Sequence, residues 1–237
     1  MQINKVLKFS LPSLVLAGGI SFSVTYDTNE VNATEILDKA ATQLEKDGIE
    51  YIKTTNPDGS YTEYWKDTYK LKERMDTYLA DGTLLNSTIV TDGGSRVVTI
   101  GNDQGEIAGS TWTLPQEIVQ QNEKSLKKSA LEELKQELKS DKWKFKEEVK
   151  IKDKTFKKIS IESKNYEEVL TIDETTGLAV KREAYQIDAY GEKKLVKDQV
   201  EHYNKIKHDD KSDDIFKAKS NVDIKEIKKD IYAPSKQ

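Results

Sequence analysis

The sequence predicts an α+β fold built on one large, curved antiparallel sheet with helices laid against it, and three observations predict it. Turn residues recur at intervals of roughly ten between aromatic, β-rich runs from Ile49 to Ile100. The same pattern resumes at Trp143 and continues to Lys207. Between the two runs, Leu126, Ala130, Leu131, Leu134 and Leu138 recur at helical spacing.

The chain opens on a segment with the form of a signal peptide. Lys5 and Lys8 make a short basic region, Phe9 to Tyr26 carries no charge, and Val31-Asn32-Ala33 puts small residues where a signal peptidase reads them. Pro12, Gly18, Gly19 and several serines weaken the apolar run as a permanent span. Cleavage near Ala33 is therefore expected, giving a secreted or envelope protein, with a retained N-terminal anchor and a structural helix as the alternatives. Leu16-Ala17-Gly18-Gly19 looks like a lipoprotein signal whose Cys is replaced by Gly19, which leaves no thiol to lipidate. The expected organisation is residues 1–33 as signal and 34–237 as one domain with a helical insertion at about 113–140.

The mature part begins with an amphipathic helix. Asn32 or Thr34 can cap it, Ile36, Leu37, Ala40, Ala41 and Leu44 form its apolar face, and Gly48 supplies the stop. Strands follow over Ile49–Thr55, Ser60–Lys66, Tyr69–Tyr78, Leu84–Thr91 and Arg96–Ile100, separated by Asn56-Pro57-Asp58-Gly59, Asp67-Thr68, Asp81-Gly82 and Asp92-Gly93-Gly94. In Tyr69–Asp76, alternation puts Tyr69, Leu71 and Met75 on one face and Lys70, Lys72, Arg74 and Asp76 on the other, with Glu73 interrupting the apolar face. Asn102 to Gly109, rich in glycine, reads as a loop or ragged strand, and Thr113-Leu114-Pro115-Gln116 as a helix start with Thr113 as its cap. The helical stripe, expected to be interrupted, is either a helix packed on the sheet or a movable lid over a groove. Strands then run over Trp143–Ile151, Thr155–Ser163, Glu167–Asp173, Ala179–Ala189 and Lys194–Lys207. From Asp209 the tail is polar, with Ile215, Phe216, Val222, Ile224 and Ile227 as its apolar residues.

Composition excludes several functions. With no Cys there is no disulfide framework, thiol chemistry or Cys-based zinc site. Lys and Asp/Glu are interleaved at a net charge of −4, so no basic face tracks a phosphate backbone and nucleic acid is not an expected partner. His202 and His208 are too few and too far apart for a triad or a zinc site, and read as surface residues. Asp209, Asp210, Asp213 and Asp214 lack the ligand order of a calcium loop and read as a solvated turn. No nucleophile elbow or phosphate loop occurs, so no catalytic, metal or cofactor residue is assigned and the chain is read as a non-enzyme. The aromatics Tyr51, Tyr61, Tyr64, Trp65, Tyr69 and Tyr78 are either core packing or the lining of an apolar groove.

Three stretches carry a family resemblance. Tyr69-Lys70-Leu71-Lys72-Glu73-Arg74-Met75 looks like an early strand bearing an arginine. Leu170-Thr171-Ile172-Asp173 followed by Gly177-Leu178-Ala179 looks like a hairpin that usually carries Pro at the last position. Asp213-Asp214-Ile215-Phe216 looks like a tail motif whose Phe closes a barrel. Together with the element order, these resemble the LolA/LolB-like superfamily, which includes outer-membrane lipoprotein carriers, RseB/MucB sensor domains and LolA-like secreted proteins of Gram-positive bacteria. The resemblance implies a half-open, strongly curved antiparallel sheet, an incomplete barrel, with helices covering its concave face and a cavity for acyl chains. Trp65, Leu71, Met75, Ile89 and Val98 are the expected ligand-binding residues. Arg74, Leu131 and Leu134 are the expected lid contacts, with Arg74 bonding to a lid helix. The expected ligand is an acyl chain of a lipid or lipoprotein, or a hydrophobic peptide, with peripheral membrane contact. The alternative is an envelope sensor that binds a membrane-anchored partner protein.

Overall fold

A computed structural model describes residues 48–227 except 104, 141, 142, 152 and 220. The expected signal segment, residues 1–33, and the helix expected over residues 34–47 lie outside the described residues.

Two meanders build one sheet. The first comprises β1 (Ile49–Thr55), β2 (Tyr61–Asp67), β3 (Lys72–Tyr78), β4 (Leu84–Thr91), β5 (Arg96–Asp103) and β6 (Glu106–Thr113). The second comprises β7 (Lys144–Ile151), β8 (Lys154–Ser163), β9 (Tyr166–Asp173), β10 (Ala179–Ile187) and β11 (Lys193–Ile206). A short β12 (Asp223–Glu226) follows in the tail. Among the described residues the order is β12-β6-β5-β4-β3-β2-β1-β11-β10-β9-β8-β7, twelve strands with β12 and β7 at the edges. The last strand of the second meander thus docks on the first strand of the first, β11 antiparallel to β1. Among the described residues every other ladder is antiparallel except β12–β6. The fold class is α+β, as the sequence predicts.

Turn chemistry sets most strand ends. Asp58 and Asp81 each accept a backbone N–H two residues on, from Ser60 and Thr83, and the glycines between have positive φ. Two expectations are corrected. Tyr69–Leu71 is a turn, not strand: the Asp67 carboxylate accepts the N–H groups of Tyr69 and Lys70 at 3.1 and 2.8 Å, and Leu71 sits at φ 53°. Asn102–Gly109 is a true hairpin into β6, in which the Asn102 side chain accepts the Gly105 N–H at 2.9 Å. Thr113 therefore ends β6 and caps nothing; the helix starts at Gln116 behind Pro115.

The helical insertion is two helices, α1 (Gln116–Leu126) and α2 (Ala130–Ser140). A capping box starts the second. The Ser129 hydroxyl accepts the Glu132 N–H at 3.2 Å, and the Glu132 carboxylate accepts the Ser129 N–H at 2.7 Å. Ser129→Ala is expected to cost about 1 kcal/mol, read as a shift of the urea midpoint with unchanged m-value.

The two helices lie in series on one face of the sheet. Leu126 of α1 packs with Val90, Val97, Trp112 and Leu114 over β4–β6. Leu131, Leu134 and Leu138 of α2 pack with Ile159, Leu170 and Ile172 over β8 and β9. A third cluster, Ile49, Ile89 and Phe216 with Trp65, Val98, Ile206 and Ile215, covers the opposite face beneath the tail.

Candidate functional site: a row under the tail and a charged row under α2

Cross-strand register sorts the expected site residues onto two faces. Tyr51 pairs with Trp65, Trp65 with Arg74, Arg74 with Ile89, Ile89 with Val98, and Val98 with Thr111. Residues directly opposite one another share a face, so these form one row. It runs across the tail-bearing face and ends at Glu226 of β12, which pairs with Thr111. Trp65, Ile89 and Val98 are therefore brought together. Met75 is not: it pairs with Tyr64 and Thr88 on the helix-bearing face. Leu71 packs against the cluster under α1.

The tail is fastened over this row. A 3-10 turn at Ser212–Phe216 presses Phe216, 4% exposed, onto Ile49 and Ile89. Arg74 donates to the carbonyls of Ile215 and Lys217 at 2.8 and 3.1 Å and makes a two-bond pair with Asp76 at 2.7 and 2.8 Å. Asp76, 1% exposed, also accepts from the hydroxyls of Ser87 and Tyr78. Lys70 and Lys72 each reach Asp213 at 3.0 Å, and their hydrogen bonds hold its carboxyl below the usual carboxylate range. His208 is tied down as well, 2.9 Å from the Asp67 carboxylate. Arg74 thus fastens the tail; Leu131 and Leu134 pack on the other side of the sheet, away from it. The expectation that Arg74 bonds to a lid helix is corrected: its guanidinium bonds tail carbonyls on the face opposite α1 and α2.

The end of the row borders a depression of about 530 Å³ lined by Arg96, Val98, Thr111, Trp112 and Thr113 of the sheet and by Ile224 and Glu226 of the tail. Arg96 donates to the Thr111 hydroxyl at 3.3 Å. The lining is amphiphilic: the Arg96 guanidinium, the Glu226 carboxylate and two threonine hydroxyls beside Val98 and Ile224. A second, smaller depression, about 300 Å³, lies between Asn56-Pro57 and Leu195–Gln199.

The helix-bearing face carries a different row, Glu50–Lys66–Glu73–Val90–Val97–Trp112, charged at one end and apolar at the other. Glu50 and Lys66 are 4% and 1% exposed. Lys66 donates to Glu133 of α2 at 2.6 Å. Glu50 accepts the Ala130 N–H at 2.9 Å, placing a carboxylate at the positive end of the helix, and the Tyr203 hydroxyl at 3.3 Å. Arg182 forks onto Glu137 and reaches Glu201 at 2.7 Å. Burial opposes the charge of Arg182, yet Glu201 and Glu137 override it and raise its pKa above the ordinary value. Burial raises Glu73, whose carboxylate accepts the Tyr64 hydroxyl at 2.9 Å. The Tyr64 hydroxyl is raised in turn by burial and by Glu73. Sequence reading noticed Glu73 but missed that Glu50 and Lys66 join it; the signal lay in pairing register, not in either strand alone.

Among the described residues no His, Asp and Glu group has the arrangement of a metal site. No helix among the described residues is long and apolar enough to cross a membrane. No family model and no curated protein matches the sequence. Among solved structures the chain is similar to an uncharacterized conserved protein from Thermus thermophilus, at 10% identity and a TM-score of 0.49, over 83% of this chain and 100% of that one. It is also similar to PNGF-II, at 12% identity and a TM-score of 0.31, over 76% of this chain and 32% of that one. Neither likeness bears on what this chain does.

Proposed function

We propose that the protein is an exported, non-enzymatic binding protein that holds an acyl chain against the tail-bearing face. The observation that supports this reading is the gathering of Trp65, Ile89 and Val98 with Phe216, in a row that borders the amphiphilic depression. The charged member of the row between Trp65 and Ile89, Arg74, is turned to Asp76 and the tail carbonyls. An acyl chain laid beside Val98 and Ile224 gains about 0.8 kcal/mol per buried methylene, so few polar contacts are needed. Arg96 and Glu226 in the same lining suit a headgroup that carries both an anion and a polar or cationic group. The helix-bearing face fits such a ligand less well, because Glu50, Lys66, Glu73 and α2 occupy its middle. Half-open, strongly curved architecture of the LolA-like kind, with Met75 and Leu71 facing the helices, belongs to the same proposal.

The test is a titration with a long-chain fatty acid, read by tryptophan fluorescence and native mass spectrometry. The expected result is saturable binding with one acyl chain retained, abolished by Val98→Asp and preserved by Met75→Ala. Protein that stays empty and unquenched overturns the proposal, as does binding that Val98→Asp leaves intact.

A further inference from the structure

The two edges of the sheet are protected in different ways. Edge strand β7 carries its own guard: Lys144, Lys146, Glu147, Glu148 and Lys150 alternate with few apolar residues, and such an edge resists pairing with another strand. Edge strand β6 carries no charge from Ile107 to Thr113. What covers it is β12, four residues of the tail in the only parallel ladder among the described residues.

That cover is slight. Asp223, Lys225 and Glu226 are exposed, and only Ile224 and Ile227 are partly buried. Ile224 sits over Gly109, where an added Cβ would lie 3.1 Å from its Cγ1 and 3.1 Å from the Thr99 carbonyl oxygen, so the missing side chain at Gly109 makes its seat. Ile227 donates its N–H to the Thr111 carbonyl at 2.8 Å and packs beside the Val90, Trp112 and Leu114 cluster on the other face. Two aliphatic anchors and a four-residue ladder hold less than the core strands do, so this segment is expected to open before the core. Its departure exposes an uncharged stretch of strand edge, the form of surface that an extended peptide completes by adding a strand.

We infer that the β6 edge is a strand-addition site occupied in cis by Asp223–Ile227, and that its occupant in trans is an extended segment of a partner protein. The segment that sits there defines the chemistry: one aliphatic side chain in the Gly109 seat, a second three residues later against the opposite face, and charged residues between them facing water. The partner strand runs parallel to β6. The inference stands whether or not the depression holds an acyl chain.

The chain contains no Cys, so a lock can be introduced cleanly. Lys225 pairs with Ser110 in register, and Ser110→Cys with Lys225→Cys in the full chain places the two thiols on one face. The probe is a fluorescein-labelled peptide with the sequence of Asn221–Ile227, followed by anisotropy. Saturable binding is expected to the wild-type chain and to the reduced variant, lost on oxidation and restored by reduction. A probe with Ile224→Asp is expected to bind about tenfold more weakly or worse, since it buries a carboxylate in an apolar seat. Amides of β12 should exchange faster than those of β5 in the wild-type chain, a reading that needs no variant. Absence of saturable binding to the wild-type chain overturns the inference, as does binding that oxidation leaves unchanged. A chain that is dimeric and made monomeric by the peptide overturns the separate partner and makes a second copy the occupant. Fatty-acid titration of the oxidised variant separates the two proposals: peptide binding is lost there while acyl binding persists.

Discussion

Arg74→Ala is expected to destabilise the protein by about 4 kcal/mol, the cost of breaking a buried ion pair by removing one partner. The Arg74 and Asp76 side chains are 11% and 1% exposed, so the carboxylate left behind keeps only hydroxyl partners, Ser87 and Tyr78, and cannot turn to water. The same substitution strips the donors from the carbonyls of Ile215 and Lys217. Two measurements check the two effects. Urea unfolding should show the full loss, and Arg74→Ala with Asp76→Ala should be less destabilised than the single changes sum to, because the orphaned charge is gone. Hydrogen exchange or limited trypsin digestion should report the tail: cleavage after Lys211 and Lys217 should accelerate in the variant under conditions where the strands remain protected. If the stability falls but the tail stays as protected as in the wild type, Arg74 stabilises Asp76 and does not fasten the tail.

Arg74 also marks where sequence reading succeeds and fails. The strand spans of β1 and β4 coincide with those read from turn chemistry, because Asn-Pro-Asp-Gly and Asp-Gly motifs fix hairpin ends locally. The leucine stripe fixed α2 for the same local reason. Facing is not local. Alternation splits a strand into two sets but does not say how neighbouring strands align, and a shift of one residue exchanges the faces. Trp65 and Met75 look like companions in the sequence. The turn at residues 68–71 sets Asp67 opposite Lys72, so Trp65 meets Arg74 and Met75 meets Tyr64. The turn depends on the Asp67 side chain holding two N–H groups, a detail that a dipeptide rule for Asp-Thr does not contain.

The polar tail was legible only at Phe216, which the resemblance expected to dock and which is buried against Ile49 and Ile89. Its other apolar residues are sparse and lack a period, so no pattern announces the rest of the docked segment. Its order comes from partners more than 140 positions away in the chain, Lys70, Lys72 and Arg74. The charged row under α2 is similar: Glu50, Lys66 and Glu73 each lie in a strand with a wet-looking pattern, and only the stacking of three strands gathers them beneath one helix. Ala130, Glu133 and Glu137 then explain why α2 carries charge on the flank it buries. Its leucines grip β8 and β9, while its charged flank completes the polar middle of the sheet.

That arrangement makes Lys66→Met the sharpest test of the helix-bearing face. The expected loss is about 3 kcal/mol at neutral pH, the low end for breaking a buried pair, because Glu133 is 43% exposed and water screens it once released. Lys66→Met combined with Glu133→Leu should recover much of the loss, since an apolar pair of similar size leaves no charge behind. The deficit should depend on pH through Glu73. Burial already raises its pKa, and Lys66 is a cation that opposes the rise, so removing Lys66 raises it further. With the folded value above the unfolded one, the native state binds the extra proton, and stability falls as pH rises through the window between them. The Lys66→Met deficit should therefore be largest above that window and shrink as pH falls toward the unfolded carboxylate value of about 4.3. Glu50 and Glu133 face the same position, and Glu73→Gln tells them apart: in that background the deficit should lose most of its pH dependence. Urea titrations between about pH 7.5 and about pH 5.5 give the comparison, and a deficit that stays flat across them means that Lys66 holds α2 to the sheet without governing the proton on Glu73.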